Sequence, residues 1–175
     1  MPNKPQSLLG RFLVWRLRHI PQKQFILILS IVVGLISGLV AVTLKNTTHL
    51  IQQLVHSEWF DDLYNPFYFA FPVIGILITV LIKRFFKNPV GEGIPSTLYA
   101  ISRRNGILRP YKMFASVITS MFTVGFGGSV GLEGPTVSTG SAIGSNLARV
   151  MHLNYKSRTL LISCATAAAI SSIFN

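Results

Sequence analysis

Apolar residues fall into four long runs, set apart by basic clusters and glycine-rich breaks. From Phe25 to Leu44, 20 consecutive residues carry no charge, enough as a helix to cross roughly 30 Å of hydrocarbon. Gly34 and Gly38 form a G-x-x-x-G pair inside it, which permits close approach of another helix. A second run, Phe67 to Ile82, leads into Lys83-Arg84-Phe85-Phe86-Lys87 and predicts a return span. Gly91-Glu92-Gly93-Ile94-Pro95 then precedes a short helix ending near Arg103 and Arg104, too short to span. Met113 to Ala148 is 36 residues with a single charge, Glu133, broken in the middle between Gly125 and Pro135. A small-residue segment from Thr159 to Asn175 follows Arg149, Lys156 and Arg158. This pattern predicts an all-α, polytopic membrane protein with broken and re-entrant helices.

Charge placement orients the runs. Residues 1–23 hold Lys4, Arg11, Arg16, Arg18 and Lys23 and no acid, interleaved with leucines, Phe12 and Trp15. They read as a basic amphipathic segment on the cytoplasmic membrane face, with 24–175 as the membrane domain. Basic flanks stay inside, which predicts a cytoplasmic N-terminus, Glu58 to Asp62 outside and Lys83 to Lys87 inside. Composition agrees: 50% of the 175 residues are hydrophobic, 12% are charged and the mean hydropathy is +0.51. A soluble domain carries about 25% charged residues, so a soluble enzyme is excluded. A nucleic-acid partner is excluded too, despite the net charge of +11, because the cations sit between apolar runs. Cys164 is the only cysteine; no disulfide framework or multi-cysteine metal site is available, and no cofactor or metal is expected.

Glu133 draws the eye as an acid inside a long apolar run, where an ionised carboxylate costs at least a few kcal/mol. Gly134-Pro135 reads as a helix opening with proline at the first helical position. Thr136, Gly140, Gly144 and Ala148 then recur every four residues as a small-residue ridge. Gly93-Ile94-Pro95 repeats the grammar. Two broken helices opening this way present unpaired N–H groups and positive dipole ends, whose natural ligand is an anion. Other motifs compete. Gly125-x-Gly127 starts like a dinucleotide fingerprint but has Val130 in sixth place and no βαβ pattern before it, and no phosphate loop is completed. Gly127-Gly128-Ser129-Val130-Gly131 is a literal G-x-S-x-G, leaving an intramembrane serine hydrolase at Ser129 as an alternative. A non-transporting membrane fragment is another.

At the two glycine motifs the chain resembles the CLC family of chloride channels and chloride/proton exchangers, whose signatures are G-S-G-I-P and G-[RK]-E-G-P. Here they stand as Gly91-Glu92-Gly93-Ile94-Pro95 and Gly131-Leu132-Glu133-Gly134-Pro135. The run GGSVGLEGPTVSTGSAIGSNLAR and the segment ending ATAAAISSIFN look like the family's following helices. The resemblance implies the first half of an inverted-repeat fold and gated anion transport, as a channel or a chloride/proton exchanger. It implies that Glu133 is the gating glutamate and that both pentapeptides contribute to anion binding. Chloride or a similar anion, protons, the bilayer and a second copy in a homodimer are the partners it implies; the location is a plasma or bacterial inner membrane. Two positions depart from the pattern. Glu92 stands where the family often has a serine donor, and Leu132 replaces the usual Arg or Lys. The chain resembles only most of the first repeat, so it reads as a partial sequence.

Overall fold

The computed structural model describes residues 21–55, 70–85 and 93–174. The basic segment before Pro21, the acidic stretch Glu58 to Asp62, Lys87, Gly91 and Glu92 lie outside these residues. Among the described residues six helices follow in chain order: α1 (Gln22–Val55), α2 (Ala70–Phe85), α3 (Gly93–Arg103), α4 (Lys112–Gly125), α5 (Glu133–Val150) and α6 (Tyr155–Phe174). No strand occurs among the described residues. Of these helices, α1 and α6 are long and apolar enough to cross a membrane by themselves.

The charge-free run 25–44 underestimates α1. The helix has 34 residues, about 51 Å at 1.5 Å per residue, because nothing after Leu44 breaks it. Lys45 does not end it: its Nζ reaches across and donates to the Ile173 carbonyl at the end of α6 (3.4 Å). Further along, Gln52 Nε2 donates to Val124 O (3.3 Å), tying the same helix to the end of α4. Its other face, including Leu35 and Leu39, is exposed, as are Ile76, Leu77 and Leu81 of α2. Apolar faces of that width suit lipid.

Small residues set the close contacts. α1 and α6 run parallel, with Gly34 against Ala168 and Gly38 against Ser172. α5 and α6 form an antiparallel hairpin over Gly140 and Gly144, half of the ridge read from the sequence. The hairpin turns at His152 (φ 52°), where Leu153 N–H donates to Ala148 O (3.0 Å) and His152 N–H to Arg149 O (3.0 Å). That is a left-handed helix stop with its two closing bonds. At Gly144 a Cβ would stand 2.7 Å from Leu161 O and 2.9 Å from Ile162 Cα. Both neighbours are backbone, so Gly144→Ala must push the helices apart, at a cost of about 1–3 kcal/mol by the usual range for overpacking. Thermal melting in detergent checks this; an unchanged melting temperature would mean that the hairpin is looser than drawn.

Six cations among the described residues collect at one end. Phe25, Leu29 and Val33 share a core cluster with Ala148, Leu153, Leu161 and Ala165, so the start of α1, the end of α5 and the start of α6 lie together. Arg158 bridges to the turn after α3, its Nη1 donating to Asn105 O (2.9 Å) and its Nη2 to Leu153 O (3.2 Å). Lys23, Arg103, Arg104, Arg149, Lys156 and Arg158 therefore belong to one side of the bundle. Helices that reverse direction have placed them there, so the side is a product of the fold and not of sequence proximity.

Candidate functional site

α3 and α5 lie parallel, held by a polar seam. Thr97 Oγ1 and Ser141 Oγ are 2.9 Å apart. Below them Leu108 N–H donates to Ser145 Oγ (2.9 Å), which donates in turn to Gly106 O (2.6 Å). This register brings the two helix starts together. Gly93 adopts φ +48°, and a Cβ there would be 3.2 Å from Gly134 Cα and 3.4 Å from Gly134 O. The two glycine motifs, 41 positions apart by the numbers 93 and 134, thus meet backbone to backbone.

Proline sits deeper than the sequence reading had it. Pro95 and Pro135 are each the third residue of their helix rather than the first. The change is small in consequence, because the first four N–H groups of a helix have no intrahelical partner and proline removes one of those. In α5 the first such bond is Thr136 N–H to Leu132 O (3.1 Å), and Leu132 gives no side-chain cap. The N–H groups of Glu133 and Gly134 are left as donors. Two parallel helices with adjacent starts also place two positive dipole ends, roughly half a charge each, side by side. They repel one another, and an anion between them would relieve the repulsion.

Glu133 opens α5, as expected, but it is exposed in this chain rather than buried. Its carboxylate folds back over Gly131, where any Cβ would overlap Oε2. A side chain at 131 would deny it that position. Gly131, Ile94 and Pro95 are exposed; Leu132, Gly93, Gly134 and Pro135 are half-buried. The sequence reading missed a cavity of about 330 Å³ beside the junction. Gly93, Gly134 and Pro135 line one part; Thr79 and Lys83 of α2 and the hydroxyls of α4 line the rest. A signal was present in the sequence: Ser116, Thr119, Ser120 and Thr123 recur at helical spacing within an otherwise apolar run. Near the same helix starts, Lys112 Nζ donates to Ser96 Oγ in the first turn of α3 (2.6 Å).

Among the described residues, no histidine is hydrogen-bonded to Ser129. Ser129 is exposed, and His152 lies past the far end of α5, beyond 18 residues of helix, or about 27 Å. There it serves the hairpin turn, with its Nδ1 3.1 Å from Val150 O. Cys164 is a free, half-buried thiol on α6.

The sequence model described as "Voltage gated chloride channel" matches residues 74–175, more than half of the chain. An H(+)/Cl(-) exchange transporter ClcA of Vibrio cholerae is 27% identical over 162 residues, covering 86% of this chain and 34% of its own. The ClcA of Salmonella typhi is 29% identical over 161 residues, with 86% and 33% covered. A chloride channel protein CLC-e of Arabidopsis thaliana is 23% identical over 172 residues, with 89% and 23% covered. The chain thus spans about a third of the length of the exchangers it matches and less of the plant channel. No solved structure gives a significant match. These relatives are named as exchangers and channels, not as enzymes. With two glycine-proline helix starts meeting at Gly93 and Gly134 and a family match that takes in α3 to α6 whole, the chain belongs to the voltage-gated chloride channel family of membrane proteins.

Proposed function

We propose that this chain forms the first repeat of a membrane anion transporter, and that chloride is held where α3 and α5 begin. One observation carries the reading: the backbone contact of Gly93 with Gly134, which brings two helix starts to the same place. Gly91, Glu92, Gly93, Ile94 and Pro95 form one side of the anion site, and Gly131, Leu132, Glu133, Gly134 and Pro135 the other. Glu133 is the gate, a tethered carboxylate that competes with chloride for the same donors. Names of the relatives support chloride as substrate and protons as a coupled ion. The working unit is the longer protein, assembled as a homodimer in a plasma or bacterial inner membrane.

Reconstitution of a full-length protein carrying this chain into chloride-loaded vesicles tests the reading directly. Chloride efflux above that of protein-free vesicles is expected; none would sink it. Topology supplies a separate check. With the cation-rich end of the bundle inside, the N-terminus is cytoplasmic and position 61 is outside. In a Cys164→Ser background, Asp61→Cys should react with an impermeant thiol reagent added to intact cells. Reaction only after permeabilisation would reverse the orientation.

A further inference from the structure

The cavity between α2 and α4 is rich in hydroxyls and poor in donors. Thr79 Oγ1 donates to Gly75 O (2.9 Å), Thr119 Oγ1 to Ala115 O (2.9 Å) and Ser120 Oγ to Ser116 O (2.7 Å). Thr123 Oγ1 donates to Thr119 O (2.9 Å), and Ser116 Oγ to Ser138 Oγ (3.3 Å). Thr79 and Thr123 also face each other at 2.9 Å. A hydroxyl has one proton, so one of the Thr79–Thr123 pair donates to the other in place of its helix carbonyl, and with every proton used within the walls the oxygens offer lone pairs to the cavity. Such walls hold water well and anions badly. Yet the chamber borders Gly93 and Gly134, where the anion is placed. The one cationic side chain on its walls, among the described residues, is Lys83, an ammonium with three donors and no acceptor. Arg84, next in sequence and exposed on α2, is not among the lining residues.

We propose that Lys83 is the anion-recruiting residue of this cavity: its ammonium draws small monovalent anions into a water-filled, acceptor-walled chamber and delivers them to the junction of α3 and α5. The inference rests on the transport reading above and adds a specificity-determining residue outside both glycine motifs. Loss of the charge lowers anion occupancy without touching the gate, so affinity should change and pH dependence should not.

The test is chloride flux from vesicles holding the full-length protein, measured against chloride concentration. Lys83→Gln should raise the half-saturating concentration roughly five-fold, the upper end for one water-exposed charge, with the pH profile retained. Lys83→Arg should restore the parent value. Arg84→Gln removes the same charge outside the cavity and should leave half-saturation where it was. An unchanged value in folded Lys83→Gln, or an equal shift in Arg84→Gln, would overturn the proposal while leaving the transport reading standing. A parent without chloride flux would sink the transport reading instead. Labelling then decides for the cavity alone: in Thr79→Cys with Cys164→Ser, which keeps Lys83 on the wall, chloride should slow reaction with an anionic thiol reagent more than with a cationic one. Equal rates with and without chloride would overturn the anion site as well.

Discussion

Glu133→Gln in the reconstituted full-length protein is expected to pass chloride at neutral pH as readily as at acid pH. At the start of α5 the N–H groups of Glu133 and Gly134 have no side-chain cap to satisfy them, and the Glu133 carboxylate folds over Gly131. An ionised carboxylate tethered beside those donors is a standing competitor for any anion that would use them. Protonation removes the competitor, so parent flux should rise as pH falls. Gln keeps the shape and has neither charge nor proton, and so fixes the protonated behaviour at every pH. Flux measured from acid to neutral pH should slope in the parent and lie flat in Glu133→Gln. Proton movement coupled to chloride should vanish. Glu133→Asp keeps a carboxylate but is one methylene shorter and reaches over Gly131 less well, so it should gate poorly. A parent-like slope in Glu133→Gln would reduce Glu133 to a residue that merely opens a helix.

Gly93→Ala should be nearly as damaging, for a reason confined to backbone. Its φ of +48° lies in the left-handed region, which costs a residue with a Cβ about 1–2 kcal/mol. That Cβ would also press on Gly134 Cα at 3.2 Å and on its carbonyl at 3.4 Å. Relief requires α3 to rotate or withdraw, and either movement separates the two helix starts. A loss of chloride affinity of roughly five- to thirty-fold is expected if the backbone cost falls on the site, with little change in the slope against pH. Gly134→Ala is the control within the same contact: nothing stands within 4 Å of a Cβ there, so the junction should survive. Calorimetric chloride titration, with melting temperatures in detergent, separates the pair. Equal effects of the two substitutions would show that the junction is not built on Gly93 as described.

Much of this architecture was legible from charge and glycine alone. Arg103 and Arg104 end α3, Lys112 begins α4, and the break from Gly125 to Glu133 falls where the uninterrupted run is too long for one helix. The length of α1 was not legible. A charge at Lys45 closes an apolar count, but a lysine whose amine reaches the last carbonyls of a neighbouring helix does not close a helix, and that neighbour lies 128 positions away. The exposure of Glu133 was hidden for a related reason. Apolar neighbours in sequence suggest burial, whereas the fold of this chain turns the first residue of α5 outward over a glycine. Ser116, Thr119, Ser120 and Thr123 passed unnoticed because uncharged residues count alike in a hydropathy run, although their oxygens line the cavity.

The seam between α3 and α5 also bears on how the protein enters its membrane. α3 has 11 residues and ends in arginine, so by itself it has neither the length nor the apolarity to partition into lipid. Its polar partner for Thr97 is Ser141, 44 residues later in synthesis, and the turn after α3 waits for Ser145, 37 to 39 residues later. A nascent chain that has exposed α3 but not α5 therefore has nowhere to bury it. The helix must stay at the interface until α5 emerges and draws it inward, start to start. Insertion of this region is then a paired event, set by the order in which the ribosome releases the two helices.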